Sequence, residues 1–209
     1  MMNIDFSTLS GPERYFAMVQ SIIPRPIAWV LTDNGNSSLN LAPFSFFTGI
    51  CSDPPLLMFS VGKKPPGNEQ GIEKDTRLNI RERTDFVVHI AATKQLDALN
   101  ASAATLAHGE SELDRLNLET VDFDGFSLPR VGVCDVAFGC SLYKYDEIGA
   151  VPQALIYGEI KQMYVADHLL ESNDKNRLII NPEQLDPLSR LGGNTYAALG
   201  KQLKANRPT

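Results

Sequence analysis

The chain has 209 residues, 43% of them hydrophobic, and carries a formal net charge of -6 at pH 7. That length supplies one full hydrophobic core, so a single domain over residues 1–209 is expected. An acidic balance with no run of lysines or arginines excludes nucleic acid and an anionic membrane surface as expected partners.

The three cysteines, Cys51, Cys134 and Cys140, cannot all pair within one chain and form no Cys-x-x-Cys. Reduced, buried thiols and a cytoplasmic address are the expectation. No basic amino-terminal segment precedes an apolar core, and no apolar stretch approaches the roughly 20 residues that cross a bilayer.

In chain order, Pro26 to Thr32, Asn40 to Phe47 and Leu56 to Val61 are apolar or aromatic runs separated by Asp, Asn, Gly and Pro, and read as strands. Asp33-Asn34-Gly35-Asn36 marks a hairpin turn. Lys63 to Asn68, rich in Pro and Gly, reads as a loop placed to lie over a ligand. Asp75 or Thr76 is expected to cap a helix through Arg83, followed by a strand from Asp85 to Ala91. Thr93 is expected to cap a second helix with a buried stripe of Leu96, Leu99, Ala103 and Leu106. Ser111-Glu-Leu-Asp114 has the form of a capping box for a third. Cys134, Val136, Phe138, Cys140 and Leu142 alternate with Asp135, Ala137, Gly139, Ser141 and Tyr143, the period of a half-buried antiparallel strand. Ala154 to Val165 reads as its partner, with Asp146 to Val151 as the connection. Hairpin-linked strands with short inserted helices favour a closed or nearly closed antiparallel barrel, because closure removes exposed edges.

Several residues in this pattern suit a polar, planar, phosphorylated ligand. Arg25 lies between two prolines that hold its backbone extended. Lys74-Asp75-Thr76 opens a helix, where unsatisfied N–H groups and the local dipole favour an anion, and Asn79 lies one turn on. An ordinary capped surface helix is the plain alternative. Ser60 ends an apolar run, and the Gly192-Gly193 pair between Arg190 and Tyr196 lets a loop approach a flat ligand closely. Trp29, Phe44, Phe46 and Phe47 are assigned to packing first. His89, His108 and His168 have no metal-ligand spacing. There is no Gly-x-Gly-x-x-Gly, no phosphate-loop pattern and no Gly-x-Ser-x-Gly elbow.

Taken in order, Ile23 to Phe47, Asp53 to Ser60, Lys74 to Ile80, Cys140, Glu147-Ile-Gly149, Gly158-Glu-Ile160 and Arg190 to Tyr196 resemble the flavin reductase-like, FMN-binding split-barrel family, which includes flavoredoxin-like chains. The resemblance runs from about Tyr15 to Tyr196. It implies a mainly β fold, an antiparallel Greek-key FMN-binding split β-barrel with short peripheral helices, assembled as a homodimer. It also implies that Arg25, Thr32, Asn40, Ala42, Pro43, Ser45, Ser60, Lys74, Asp75, Thr76, Asn79, Arg190 and Tyr196 bind the cofactor. Lys74, Thr76 and Asn79 would take the phosphate and ribityl chain, and Asn40 to Ser45 the polar edge of the isoalloxazine.

The implied function is an FMN-dependent oxidoreductase passing electrons from NAD(P)H, a transient donor, to flavin or a small acceptor. FAD in place of FMN stays open, as does a redox-protein electron partner. The alternatives are a non-enzymatic FMN-binding electron carrier and a split-barrel binding protein without flavin. No general acid or base is evident and no catalytic residue is assigned, since hydride transfer to a flavin asks mainly for positioning.

Overall fold

The computed structural model describes residues 2–64, 73–172, 177–206 and 208. Three hairpins dominate it. Strands β1 (Ala28–Asp33) and β2 (Leu39–Phe44) form the first, and β3 (Phe47–Ser52) and β4 (Pro55–Val61) the second. Strand β5 (Asp85–Ile90) stands between β1 and the third hairpin, which is made of the thirteen-residue strands β6 (Val136–Ile148) and β7 (Gln153–Val165). The sheet order is β2-β1-β5-β6-β7-β4-β3, and every neighbouring pair is antiparallel.

The outermost strands of that order, β2 and β3, are consecutive in sequence. The Ser60 N–H donates to the Phe46 carbonyl at 2.9 Å, so Phe46 already extends the β3–β4 ladder and Ser45 is the one step between the two ends of the sheet. A seven-stranded sheet whose ends are one residue apart must curl on itself. Phe44 of β2 and Phe59 of β4 meet across the seam with ring centroids 5.5 Å apart. The fold is the mainly β split barrel expected, and the jumps from β1 to β5 and from β7 to β4 are its Greek-key crossings.

Burial follows strand parity. Ala28 and Val30 face the barrel interior with Phe59, Phe86, Val88 and Ile156, while Trp29 and Leu31 face an outer core with Leu99, Leu113, Phe123 and Val131. Because both faces of the sheet are covered here, β1 is buried almost throughout. The same cover overturns the half-buried reading of the Cys134–Tyr143 run: its strand starts at Val136, and Val136, Ala137, Gly139 and Cys140 are all buried. The sheet leaves room for rings instead of side chains at two points. A Cβ on Gly158 would lie 2.4 Å from the Phe86 ring, and one on Gly139 would lie 2.7 Å from Phe126.

The helices depart from expectation at their ends. Helix α1 (Gly11–Ser21) was not anticipated, although Ser10 and Glu13 form a reciprocal capping box with Pro12 in the first turn. Its core-facing stripe is faint because Val19 is its one buried residue. Helix α2 (Asp75–Arg83) has Lys74 at the N-cap, and neither Asp75 nor Thr76 caps it. After a 3-10 turn at Thr93–Gln95, helix α3 (Leu96–Ala101) ends before Ala103 and Leu106, and Leu96 is exposed, so Leu99 alone of the expected stripe is buried. Ser102 explains the stop: its hydroxyl accepts from Trp29 Nε1 and donates to the Leu99 carbonyl, each at 2.8 Å. Helix α4 (Glu112–Leu116) lacks the capping box, since the Ser111 hydroxyl donates to the Leu39 carbonyl at 2.6 Å. Lys63 and Lys64 are described, while the rest of the expected loop, through Asn68, lies outside the described residues.

Cys134 and Cys140 are buried, and burial pushes both thiols up, Cys134 to about 12, which keeps them protonated and inert. Cys51 departs from the expectation of burial: it is exposed on the edge strand β3.

His89 is fully buried between β1 and the outer layer. Its Nδ1–H donates to the Trp29 carbonyl at 3.0 Å, and Nε2 accepts the Val131 N–H at 2.9 Å. Both nitrogens are satisfied only in the neutral ring, and burial lowers its pKa from 6.5 to about 4. Between those values the unfolded chain binds a proton that the folded chain refuses, so this stability is present above pH 6.5 and lost as pH falls toward 4. The full loss amounts to about 3 kcal/mol. Urea unfolding at successive pH values should show the decline, and His89→Gln should flatten it between pH 6.5 and 5.

Candidate functional site

The start of α2 stands over one end of the barrel. The N–H groups of Asp75 and Thr76 open the helix and have no intrahelical acceptor. Thr76 Oγ1 accepts from Asn40 Nδ2 at 2.9 Å, which leaves the hydroxyl proton free to be donated onward. Lys74 is largely withdrawn from water, its Nζ 5.6 Å from the centroid of Phe44, and burial holds its pKa below the usual lysine value. The Asp75 carboxylate is turned to the other side, where it accepts from Gly109 N at 3.3 Å and meets His108 Nδ1 at 2.9 Å.

Three adjoining clefts carry this end into a longer groove. The first holds Asn40, Ala42, Pro43, Lys74, Asp75 and Thr76 among its walls. The second contains Pro43, Ser45, Ser60 and Lys74, and the third Pro43, Ser45, Arg190 and Tyr196. Pro43 and Ala103 line all three, so the clefts are contiguous about that pair. The edge of β2 forms one bank. Leu41 N–H, which points off the edge, donates to Glu112 at 2.8 Å, and Pro43, two residues on and of the same orientation, has no N–H to satisfy. Pro43 therefore does not break the strand; it suits an edge that faces a ligand and not another strand.

Ten of the thirteen expected residues line this groove. The other three are Arg25, Thr32 and Asn79, and each is committed to the protein. Arg25 is 5% exposed, and its guanidinium donates to the Val19, Ile22 and Leu191 carbonyls at 2.5, 2.7 and 2.7 Å. It caps the carboxyl end of α1, where a cation opposes the helix dipole, and ties that end to the loop before Tyr196. Thr32 Oγ1 receives Nδ2 of both Asn40 and Asn79, at 3.3 and 2.9 Å. Asn79 also donates to Asn34 Oδ1 at 2.8 Å and accepts from Arg83 at 2.6 Å. These two residues bolt α2 to the β1–β2 hairpin instead of facing a ligand.

Sequence reasoning missed several lining residues. Tyr15 on α1 borders the second and third clefts, and Glu112 and the turn from Ser102 to Leu106 border the first. Burial pushes the Glu112 carboxyl above the usual glutamate value, with the Leu41 N–H pulling the other way. The capping box at Ser10 was the available signal for α1 and so for Tyr15. Nothing local ties Glu112 to Leu41.

The model of the flavin reductase like domain matches residues 19–188. The chain belongs to the flavin reductase-like family. Within the family's reach, it is 36% identical to Uncharacterized protein YwrF of Bacillus subtilis (strain 168) over 206 residues, covering 96% of both chains. Its structure is similar to that of nitrilotriacetate monooxygenase component B from Bacillus cereus, with 33% identity, a TM-score of 0.89 and 98% of each chain covered. It is also similar to 2-nitrobenzoate 2-nitroreductase NbaA of Pseudomonas fluorescens, with 27% identity, a TM-score of 0.86, and 100% of this chain and 97% of that one covered.

In this member of the family, the polar bolt beneath α2 is a stability element. Asn79→Ala leaves the Asn34 side-chain oxygen and one Arg83 nitrogen without their partner and leaves Thr32 Oγ1 with Asn40 alone. Each such loss costs about 1 to 3 kcal/mol. Chemical denaturation should show a destabilisation of that order.

Proposed function

We propose that this chain is an FMN-dependent oxidoreductase that takes electrons from NAD(P)H and passes them to flavin or a small acceptor. The supporting observation is the continuity of the groove: Lys74 and hydrogen-bond donors at the α2 end, Pro43 and Ala103 shared by all three clefts, and Arg190 with Tyr196 at the far end. A ligand with a phosphate at the α2 end and a planar ring system beside Ser45 matches that order, with the space beside Arg190 and Tyr196 left for a second molecule. FMN, when bound, supplies the two-electron redox chemistry.

The chain's own residues bind, orient and exclude water. Lys74 has lost much of its hydration, and an anion beside it returns a Coulombic partner in a medium that screens weakly. Thr76 has a proton to donate because Asn40 occupies its lone pair. Two carboxyl groups border the same cleft, and each is blunted: Asp75 is engaged by His108 and Gly109, and burial favours the neutral form of Glu112. In the middle of the groove Ser45, next to the donor-free Pro43, offers polar groups to the rim of a ring. Hydride transfer then depends on alignment, for which Arg190 and Tyr196 border the space.

A homodimer belongs to this reading. Ile50, Tyr143, Ile148 and Val151 are exposed apolar residues on the long hairpins and the edge strand, where a second copy would cover them.

Two measurements test the proposal. Under anaerobic conditions NADH or NADPH should bleach the flavin absorbance of FMN-loaded protein in a stopped-flow experiment. Rapid bleaching by a reduced redox protein and by neither nicotinamide would replace the oxidoreductase with an electron carrier. At the phosphate end, Thr76→Ala should weaken FMN binding by about 1.5 to 3 kcal/mol, the worth of a hydrogen bond to a charged group, with riboflavin binding nearly unchanged. Equal losses for the two ligands would place the phosphate elsewhere.

A further inference from the structure

We propose that the cleft beside Arg190 binds a planar aromatic carboxylate, and that this is the class of small substrate the groove serves. The second half of that statement rests on the oxidoreductase reading above; the binding site itself does not.

The first argument is charge. Arg25 and Arg190 are direct cross-strand partners in the antiparallel ladder between Arg25–Pro26 and Ser189–Arg190. Like charges so placed repel, and Arg190 helps to lower the pKa of Arg25, after the larger effect of burial. No carboxylate pairs with either guanidinium among the described residues. Arg25 cannot turn to a ligand, because three backbone carbonyls hold it, and its buried Nε has no hydrogen-bond partner among the described residues. Arg190 can. One of its terminal nitrogens donates to the Gly193 carbonyl and its plane lies over Tyr196 at 4.3 Å, while the remaining N–H groups have no acceptor among the described residues. A bidentate carboxylate would complete Arg190 and offset the unpaired positive charge behind it.

The second argument is the wall. The cleft, of about 200 Å³, has Tyr15 from α1 and Tyr196 from the carboxyl-terminal ladder on its sides, with the buried Ile27 and Leu99 packed behind them. Among the described residues that line it there is no acidic side chain and no cation besides Arg190. Two rings suit a flat body, and one guanidinium suits one anionic group. Tyr196 is itself held by its hydroxyl, which donates to Asn100 Oδ1 at 3.0 Å, so its ring is a fixed surface. Arg25 joins α1 to the Leu191 carbonyl and thereby holds both walls in one frame.

Calorimetric titration of the full chain, with and without FMN, tests the proposal with three probes: benzoate, neutral benzamide, and cyclohexanecarboxylate, which has the charge without the flat ring. Benzoate should bind several-fold tighter than cyclohexanecarboxylate, because of its flat ring, and at least about tenfold tighter than benzamide, the range of a charge-assisted pair. Arg190→Gln, which keeps a donor for Gly193, should remove that advantage while leaving benzamide unchanged. Tyr15→Ala, at a half-exposed position that folding tolerates, should weaken benzoate several-fold. Equal binding of benzoate and benzamide, or an Arg190→Gln protein that still prefers benzoate, overturns the site. An absorbance titration with FMN runs alongside: FMN uptake without any benzoate preference defeats this inference alone, and benzoate binding without FMN uptake supports the cleft and defeats the oxidoreductase reading alone.

Discussion

The architecture depends on the single residue, Ser45, that separates the two ends of a seven-stranded sheet. A sheet of that width held open would place β2 and β3 several strand spacings apart, roughly 4.8 Å for each strand crossed. One residue spans at most about 3.6 Å. Curling is therefore compulsory, and the seam it leaves is where ladder hydrogen bonding stops and a ligand can approach backbone. The groove and the seam are one feature. Pro43 at the lip of the seam and Glu112 on the Leu41 N–H are two ways of finishing an edge that has no strand beside it.

Along the groove the physical character changes with distance from α2. At the helix start, desolvated Lys74 and the oriented Thr76 hydroxyl sit above a fully hydrogen-bonded floor of Asn40, Thr32 and Asn79. A satisfied network of that kind is rigid because every member would lose a partner by moving. At the far end the walls are built from elements distant in sequence and held by Arg25, whose contact with Leu191 crosses 166 positions. Preorganisation at both ends reduces the entropy a ligand must lose to the protein's own ordering.

The strands were legible because their apolar runs are bounded by Asp, Asn, Gly and Pro, and a period of two or a continuous run survives in the sequence whatever the tertiary setting. Coverage was less legible: the Cys134–Tyr143 alternation reads as one wet face, yet the outer layer of Leu113, Phe123 and Val131 closes over it. Helix α1 escaped because its partners are mostly solvent, and α3 was drawn too long because the Trp29 indole that recruits Ser102 is 73 residues away. At the site, Lys74 and Thr76 could be placed from local pattern, and Pro43 and Ser45 from the family resemblance. Whether a polar residue faces a ligand or its neighbours could not. Asn79 and Arg25 have the right chemistry for a phosphate, and the protein spends it internally, on partners that no spacing rule reveals.

The contact between Gly158 and the Phe86 ring has a historical consequence. The ring occupies the volume a side chain at 158 would need, with 2.4 Å left for a Cβ. Both lie on adjacent faces of a closed barrel whose strands cannot part locally without parting elsewhere, so neither position is free to drift alone. A lineage that acquires a side chain at 158 before Phe86 shrinks meets a clash, and one that shrinks Phe86 first opens a void in the core. The two sites should descend as a unit, with glycine and a large aromatic inherited together or lost together.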